Sequence, residues 1–255
     1  MDLLRLYSDV SAGPVRLILF PHAGDGPAPY AALIRVAADR AETWALRLPG
    51  REDWTDRPPI AALGRLVDAV WTQWLSWEPK PPVLLGISFG SIIVHELALR
   101  AAATRGREGL RRAVVVSAAA PCRHGQMPPT AHLPNDRLVS TMAGRYSLPG
   151  QYRVVEPALV ALRAPALRAD MAMVEVYRAG PPSALSLPLA VWHGDEDRTL
   201  CNDDLTAWRS YYIGAFVQCH FRGGHFFLQA ADAEVRQALE GELACAVAQD
   251  PDDPP

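Results

Sequence analysis

The chain has 255 residues, of which 49% are hydrophobic and 21% charged, and its formal net charge is -3. That length suits one α/β domain better than two small ones, and that composition fills a large core, which argues against global disorder. With a near-balanced charge and no Lys/Arg run, neither nucleic acid nor an anionic membrane surface is expected as a partner.

In chain order, residues 3–7 and 15–20 read as strands joined by a turn at Gly13 and Pro14. Residues 30–41 have helical apolar spacing, and 44–48 form a third strand that Pro49 and Gly50 end. A helix is expected over 60–77, stopped by Pro79, Pro81 and Pro82, followed by a buried strand at 82–87 and a helix at 91–103. Further strands are expected at 113–117, 187–193 and 216–221, with a closing helix from His225 to Ala248. Continuous apolar strands between helices predict an α/β fold with a mostly parallel sheet covered on both faces. Residues 121–180, rich in Ala, Leu, Arg and Pro, hold no clear strand and are read as a helical insertion over the carboxyl ends of the strands, where open α/β sheets bind ligands. The expectation is one domain over residues 1–249 and a disordered tail at 250–255.

The N-terminus, MDLLRLYSDV, lacks a basic region followed by a long apolar stretch, so no signal peptide is expected. No apolar run reaches the roughly 18–20 residues of a membrane helix. Cys122, Cys201, Cys219 and Cys245 are scattered without pairing motifs and read as free thiols rather than disulfides or metal ligands. A soluble, cytoplasmic protein without a metal site is expected.

The strongest local signal is Gly86-Ile87-Ser88-Phe89-Gly90, set between a buried strand and a helix. On so sharp a turn, side chains two residues before and after Ser88 would collide, and the two glycines remove them. The turn lifts the Ser88 hydroxyl above the sheet, and the helix N-terminus behind it favours developing negative charge. Together with the strand pattern, this points to the α/β-hydrolase fold. A serine needs a base, and in that fold the order is Ser, acid, His. His225, in Arg222-Gly223-Gly224-His225 after the last predicted strand, is the candidate base, with His193 as a weaker rival and His220 expected within the strand. The acid should lie in the loop Gly194-Asp195-Glu196-Asp197-Arg198. Asp197 sits deepest in it, while Asp195 and Glu196 compete. The oxyanion calls for two backbone donors. Phe89 N–H supplies one, and Ala23 N–H, in the loop Pro21-His22-Ala23-Gly24-Asp25-Gly26, is the candidate for the other.

At this point the sequence resembles the stand-alone type II thioesterases of nonribosomal peptide and polyketide synthesis over nearly its whole length. The resemblance is carried by LFPHAGDGPAPY at 19–30, LPGRED at 48–53, GISFGS at 86–91, GDEDRTL at 194–200 and RGGHFFL at 222–228. It implies Asp197 as acid and His225 as base. It also implies hydrolysis of acyl thioesters carried on the phosphopantetheine arm of an acyl or peptidyl carrier protein, with no cofactor of the enzyme's own. Residues 121–180 would be the lid that shapes the acyl chamber, and Phe20, Pro21 and His22 would flank the oxyanion loop beside that chamber as substrate-binding residues. Three positions depart from the family pattern: Ile87 stands for the usual histidine, Phe89 for methionine, and Asp25 interrupts the usual glycine pair. The backbone donors survive these changes. Asp25 would place a carboxylate where it disfavours anionic acyl groups such as malonyl, against the reading of a plain surface carboxylate. Arg123, Arg137 and Arg145 are candidates, by position, for a basic rim that meets an acidic carrier, against ordinary solubility charges. A monomer is expected. The same triad would also serve a generic carboxylesterase or lipase, or an acyltransferase or cyclase, and a non-catalytic binding protein is the remaining rival.

Overall fold

The computed structural model describes residues 2–8, 13–104, 110–147 and 156–248, so the expected tail at 250–255 lies outside the described residues. Seven strands, β1 (Leu4–Ser8), β2 (Arg16–Phe20), β3 (Glu42–Leu46), β4 (Pro82–Ile87), β5 (Arg112–Val116), β6 (Leu189–Gly194) and β7 (Phe216–Phe221), form one sheet in the order β1-β3-β2-β4-β5-β6-β7. β1 runs antiparallel to β3, and the other pairings are parallel. The helices are α1 (Ala31–Ala38), α2 (Leu63–Leu75), α3 (Phe89–Ala103), α4 (Asn135–Arg145), α5 (Pro157–Val176), α6 (Asn202–Thr206) and α7 (Ala233–Ala248). This is the α/β-hydrolase fold.

β2, β4, β5 and β6 are buried along their whole length, which is why they read as unbroken apolar runs. The pleat sends alternate side chains to opposite faces. Ile18, Phe20 and Leu84 join the core under α2 and α3, whereas Leu17, Leu19, Val83 and Leu85 join the core under α1 and α7. α4 and α5 fall between β5 and β6 and pack against each other through Leu138, Met142 and Met171.

Most boundaries shift by one to three residues from the sequence expectation, and two of the differences have a plain physical cause. β3 begins at Glu42 rather than Trp44 because the charge of Glu42 is fully partnered. Arg16 Nε donates to it at 2.6 Å, Lys80 Nζ at 2.7 Å and Trp44 Nε1 at 2.6 Å. Burial alone would raise the carboxyl's pKa, but these bonds bring it down to about 2. The closing helix starts at Ala233, not His225. A short 3-10 turn at Phe227–Ala230 ends in left-handed Ala231 (φ 44°), and Asp232 Oδ1 then accepts the Val235 N–H at 2.9 Å as a cap. His225 therefore sits on a loop. Among the described residues no helix is long and apolar enough to cross a membrane.

Candidate active site

The turn between β4 and α3 is built from steric necessity. Ser88 has φ 52° and ψ -113°, a sparsely populated combination for a residue with a side chain. A Cβ on Gly86 would lie 2.5 Å from the Gly90 carbonyl oxygen, and one on Gly90 would lie 2.0 Å from that of Phe20. Both obstacles are backbone, which cannot swing aside. Ser88 N–H donates to the Val116 carbonyl at 2.8 Å, and Ser91 Oγ donates to the Gly86 carbonyl at 2.7 Å, so the strained conformation is held from both sides.

The loops after β6 and β7 are fastened backbone to backbone. Asp195 N–H donates to the Phe221 carbonyl and Glu196 N–H to the Gly223 carbonyl, each at 2.8 Å. A Cβ on Gly194 would come 2.4 Å from the Gly223 oxygen, so this approach also requires glycine. The result sets Asp197 Oδ2 2.7 Å from His225 Nδ1, with both side chains buried. Asp197 Oδ1 accepts Thr199 N–H at 2.9 Å and Thr199 Oγ1–H at 2.6 Å. Burial would raise the Asp197 pKa, but the bonds from His225 and Thr199 outweigh it and hold the carboxyl below its ordinary value. Ser117, itself at φ 48°, donates Oγ–H to the His225 carbonyl at 2.9 Å.

The rivals separate cleanly. Asp195 is exposed and lies 3.5 Å from His220 Nδ1, Glu196 is exposed, and His193 Nδ1 has no hydrogen-bond partner among the described residues. The His225 ring instead meets Asp197 and, at 3.4 Å, the Thr199 hydroxyl. Burial lowers the His193 pKa.

Ser88, His225, Phe89, Ala23 and His22 line one cavity of about 330 Å³. Phe20 and Pro21 do not line it. Both are buried, with the Phe20 carbonyl against Gly90, so of the three residues expected to bind substrate only His22 is open to the cavity. His22 Nδ1 lies 2.6 Å from the Tyr30 hydroxyl and Nε2 lies 3.2 Å from Asp25 Oδ2, an arrangement that pins the loop. Asp25 also reaches the cavity, and although burial raises its pKa, the His22 bond leaves it lowered. α4 and α5 supply apolar lining through Met142, Leu167, Met171 and Val174, alongside the charged Arg145, Arg163 and Glu175 of the same helices. Arg123 and Arg145 line the cavity but are engaged, Arg123 Nε with Asp204 at 2.9 Å and Arg145 Nη2 with the Pro128 carbonyl at 3.0 Å; Arg137 does not line it.

Sequence reasoning missed Thr199, Ser117 and Tyr146. The Tyr146 ring, at the end of α4, lies 4.2 Å from the His225 ring, tilted by 38°. Thr199 was visible only as a hydroxyl two residues beyond the acid, and nothing local marked the other two. Among the described residues no group of three or more His, Cys, Asp or Glu side chains is arranged to hold a metal.

Comparison with known proteins places the chain in a family. The family model for the thioesterase domain matches residues 15–241. The chain is 32% identical to the probable cadicidin biosynthesis thioesterase of Streptomyces griseus, over 96% of this chain and 68% of that protein. It is 26% identical to thioesterase PikA5 of Streptomyces venezuelae, over 94% of this chain and 85% of that protein. Among solved structures, the type II thioesterase BorB from the borrelidin biosynthetic cluster superposes with a TM-score of 0.84 at 25% identity, covering 94% of this chain and 97% of that one. The family match spans the elbow, both fastened loops and helices α4 and α5, and this chain belongs to the thioesterase family.

Proposed function

We propose that the chain hydrolyses acyl groups from the phosphopantetheine arm of an acyl or peptidyl carrier protein through an acyl-Ser88 intermediate. The observation that carries this reading is the 2.7 Å bond from His225 Nδ1 to Asp197, beside a cavity that His225 and Ser88 line together with apolar side chains of α4 and α5. With Nδ1–H donated to Asp197, Nε2 is left free to take a proton. Ser88 Oγ attacks the thioester carbonyl carbon as its proton passes to His225 Nε2. The carbonyl electrons move to oxygen, and the Phe89 and Ala23 N–H groups stabilise that charge. The C–S bond then breaks and His225 returns its proton to the departing sulfur. Water attacks the acyl ester, gives its proton to His225, and Ser88 leaves as the free hydroxyl. Asp197 holds the tautomer and favours the imidazolium. Every group needed is a side chain or amide of this chain, and the pantetheine arrives with the substrate, so the mechanism calls for no cofactor.

In this reading Ser88, Asp197 and His225 are catalytic, Ala23 and Phe89 form the oxyanion hole, and His22 contacts the substrate. α4 and α5 act as the lid of a single domain. The relatives are thioesterases of biosynthetic pathways, which supports carrier-bound substrates. The test compares a hexanoyl-loaded carrier protein with ethyl hexanoate. Thioester hydrolysis with kcat/KM at least a hundredfold above the oxoester supports the reading. Equal turnover of the free ester refutes the carrier assignment, and absence of fluorophosphonate labelling at Ser88 refutes the mechanism.

A further inference from the structure

The helix that walls the chamber is tied to the oxyanion loop by a buried ion pair. Asp170, on α5, is fully buried, and Arg51, just after Pro49 and Gly50, is 5% exposed. Asp170 Oδ2 accepts Arg51 Nη1 at 2.6 Å and Oδ1 accepts Nη2 at 3.0 Å, a two-pronged pairing. Asp170 Oδ2 also accepts the Gly24 N–H at 2.8 Å, and Arg51 Nη1 reaches the Asp25 carbonyl at 3.3 Å. One turn earlier on α5, Leu167 packs on Gly24 so closely that a Cβ there would lie 3.0 Å from its Cδ1. Three segments far apart in sequence thus meet at the loop that carries Ala23.

An apolar pair of similar volume would roof the chamber as well, because desolvating two charges offsets most of their attraction. What only the carboxylate supplies is an acceptor for the Gly24 amide. That amide belongs to the peptide plane that follows Ala23 Cα, and Gly24 has φ 87°, so the loop has no regular secondary structure to fix it. We propose that Asp170 is a positioning residue for the oxyanion hole, holding the Ala23 N–H in line through the Gly24 peptide, and that Arg51 keeps Asp170 in place. This rests on the thioesterase reading and on Ala23 as a donor. Because Leu167, Met171 and Val174 of the same helix line the cavity, the clamp also couples the fit of the acyl chain to the alignment of the hole.

The test uses Arg51→Lys and the double variant Arg51→Met/Asp170→Leu, which removes the acceptor of the Gly24 amide, with active sites counted by fluorophosphonate. The double variant removes both charges together, so no lone buried ion remains to unfold the chain. With hexanoyl-pantetheine, kcat per active site falls on the order of tenfold to a hundredfold, less than for outright loss of a donor, while KM stays within about threefold. Inhibition by an alkyl trifluoromethyl ketone, whose serine adduct carries the oxyanion, weakens by the same factor, and Arg51→Lys retains part of the activity. A purely structural clamp lowers the count of active sites and leaves kcat per site and ketone affinity unchanged, which overturns the proposal. If wild-type protein turns over no acyl-pantetheine, the thioesterase reading falls and takes the clamp with it. If wild-type turns over and the variants match it, the clamp alone falls.

Discussion

Replacing Asp197 with Asn tests the triad through hydrogen-bond direction alone. The two carboxylate oxygens have different obligations. Oδ1 faces two donors, Thr199 N–H at 2.9 Å and Thr199 Oγ1–H at 2.6 Å, and Oδ2 faces His225 Nδ1 at 2.7 Å. The Thr199 amide is a fixed donor, whereas its hydroxyl rotates. An asparagine at 197 must therefore keep its oxygen toward Thr199 and turn its NH2 toward His225, because the opposite flip sets two donors against each other. His225 Nδ1 is then forced to accept, the ring proton moves to Nε2, and Nε2 can no longer take the Ser88 proton. The side chain keeps its volume and its buried neighbours, so the fold survives. The corresponding change in other triads lowers kcat by about 10⁴, and a loss of that order is expected here. Single-turnover hydrolysis of an acyl-pantetheine at pH 7, normalised to folded protein, measures it. Asp197→Asn activity within tenfold of wild type would refute the assignment and return Asp195 or Glu196 to consideration.

Gly90→Ala should fail to give soluble, active protein, since its Cβ meets the Phe20 carbonyl at 2.0 Å, whereas Gly241→Ala on α7, with no atom within 4 Å of its Cβ, should fold normally and gain up to about 1 kcal/mol; thermal midpoints decide both. Asp25→Asn should raise kcat/KM for malonyl-pantetheine relative to acetyl-pantetheine by several-fold, because the Asp25 carboxyl faces the cavity and stays ionised at neutral pH; an unchanged ratio removes Asp25 from specificity. His95 is 1% exposed beside Tyr212, and burial, then the charge of His124, takes its pKa from 6.5 to about 4. Between those values the unfolded chain binds more protons than the folded one, so stability falls as pH drops from about 6.5 toward 4. His95→Phe should flatten that part of the stability-pH curve in denaturant titrations, and an identical slope would show that His95 does not carry it.

What the sequence disclosed was what the backbone imposes locally. Gly86 and Gly90 are legible because the collision they avoid lies within five residues of chain, and the unbroken apolar strands are legible because two-sided burial needs nothing more distant than the run itself. The boundary errors have the opposite origin. Glu42 looked unfit for a strand until Arg16, Lys80 and Trp44 closed around it, and the closing helix was expected to start at His225 because its actual start, at Ala233, depends on left-handed Ala231 and the Asp232 cap.

The same division runs through the site. The reacting groups come from three turns, each confined to a few residues at the carboxyl end of a strand, and each turn carries its own glycine or positive-φ residue. The groups that orient them come from across the fold: Ser117 holds the His225 carbonyl from 108 positions away, and Asp170 holds Gly24 from 146 away. A lone Asp in a helix of Ala, Leu and Arg reads as solvated surface, and only the arrival of Arg51 makes it a core residue. Chemistry confined to turns is therefore readable from spacing, whereas alignment, which sets how much of the available rate is realised, depends on closures between segments whose pairing no local pattern encodes. The variants that separate these two layers are those at Asp170 and Arg51, which leave Ser88, Asp197 and His225 in place and change what holds the Gly24 amide.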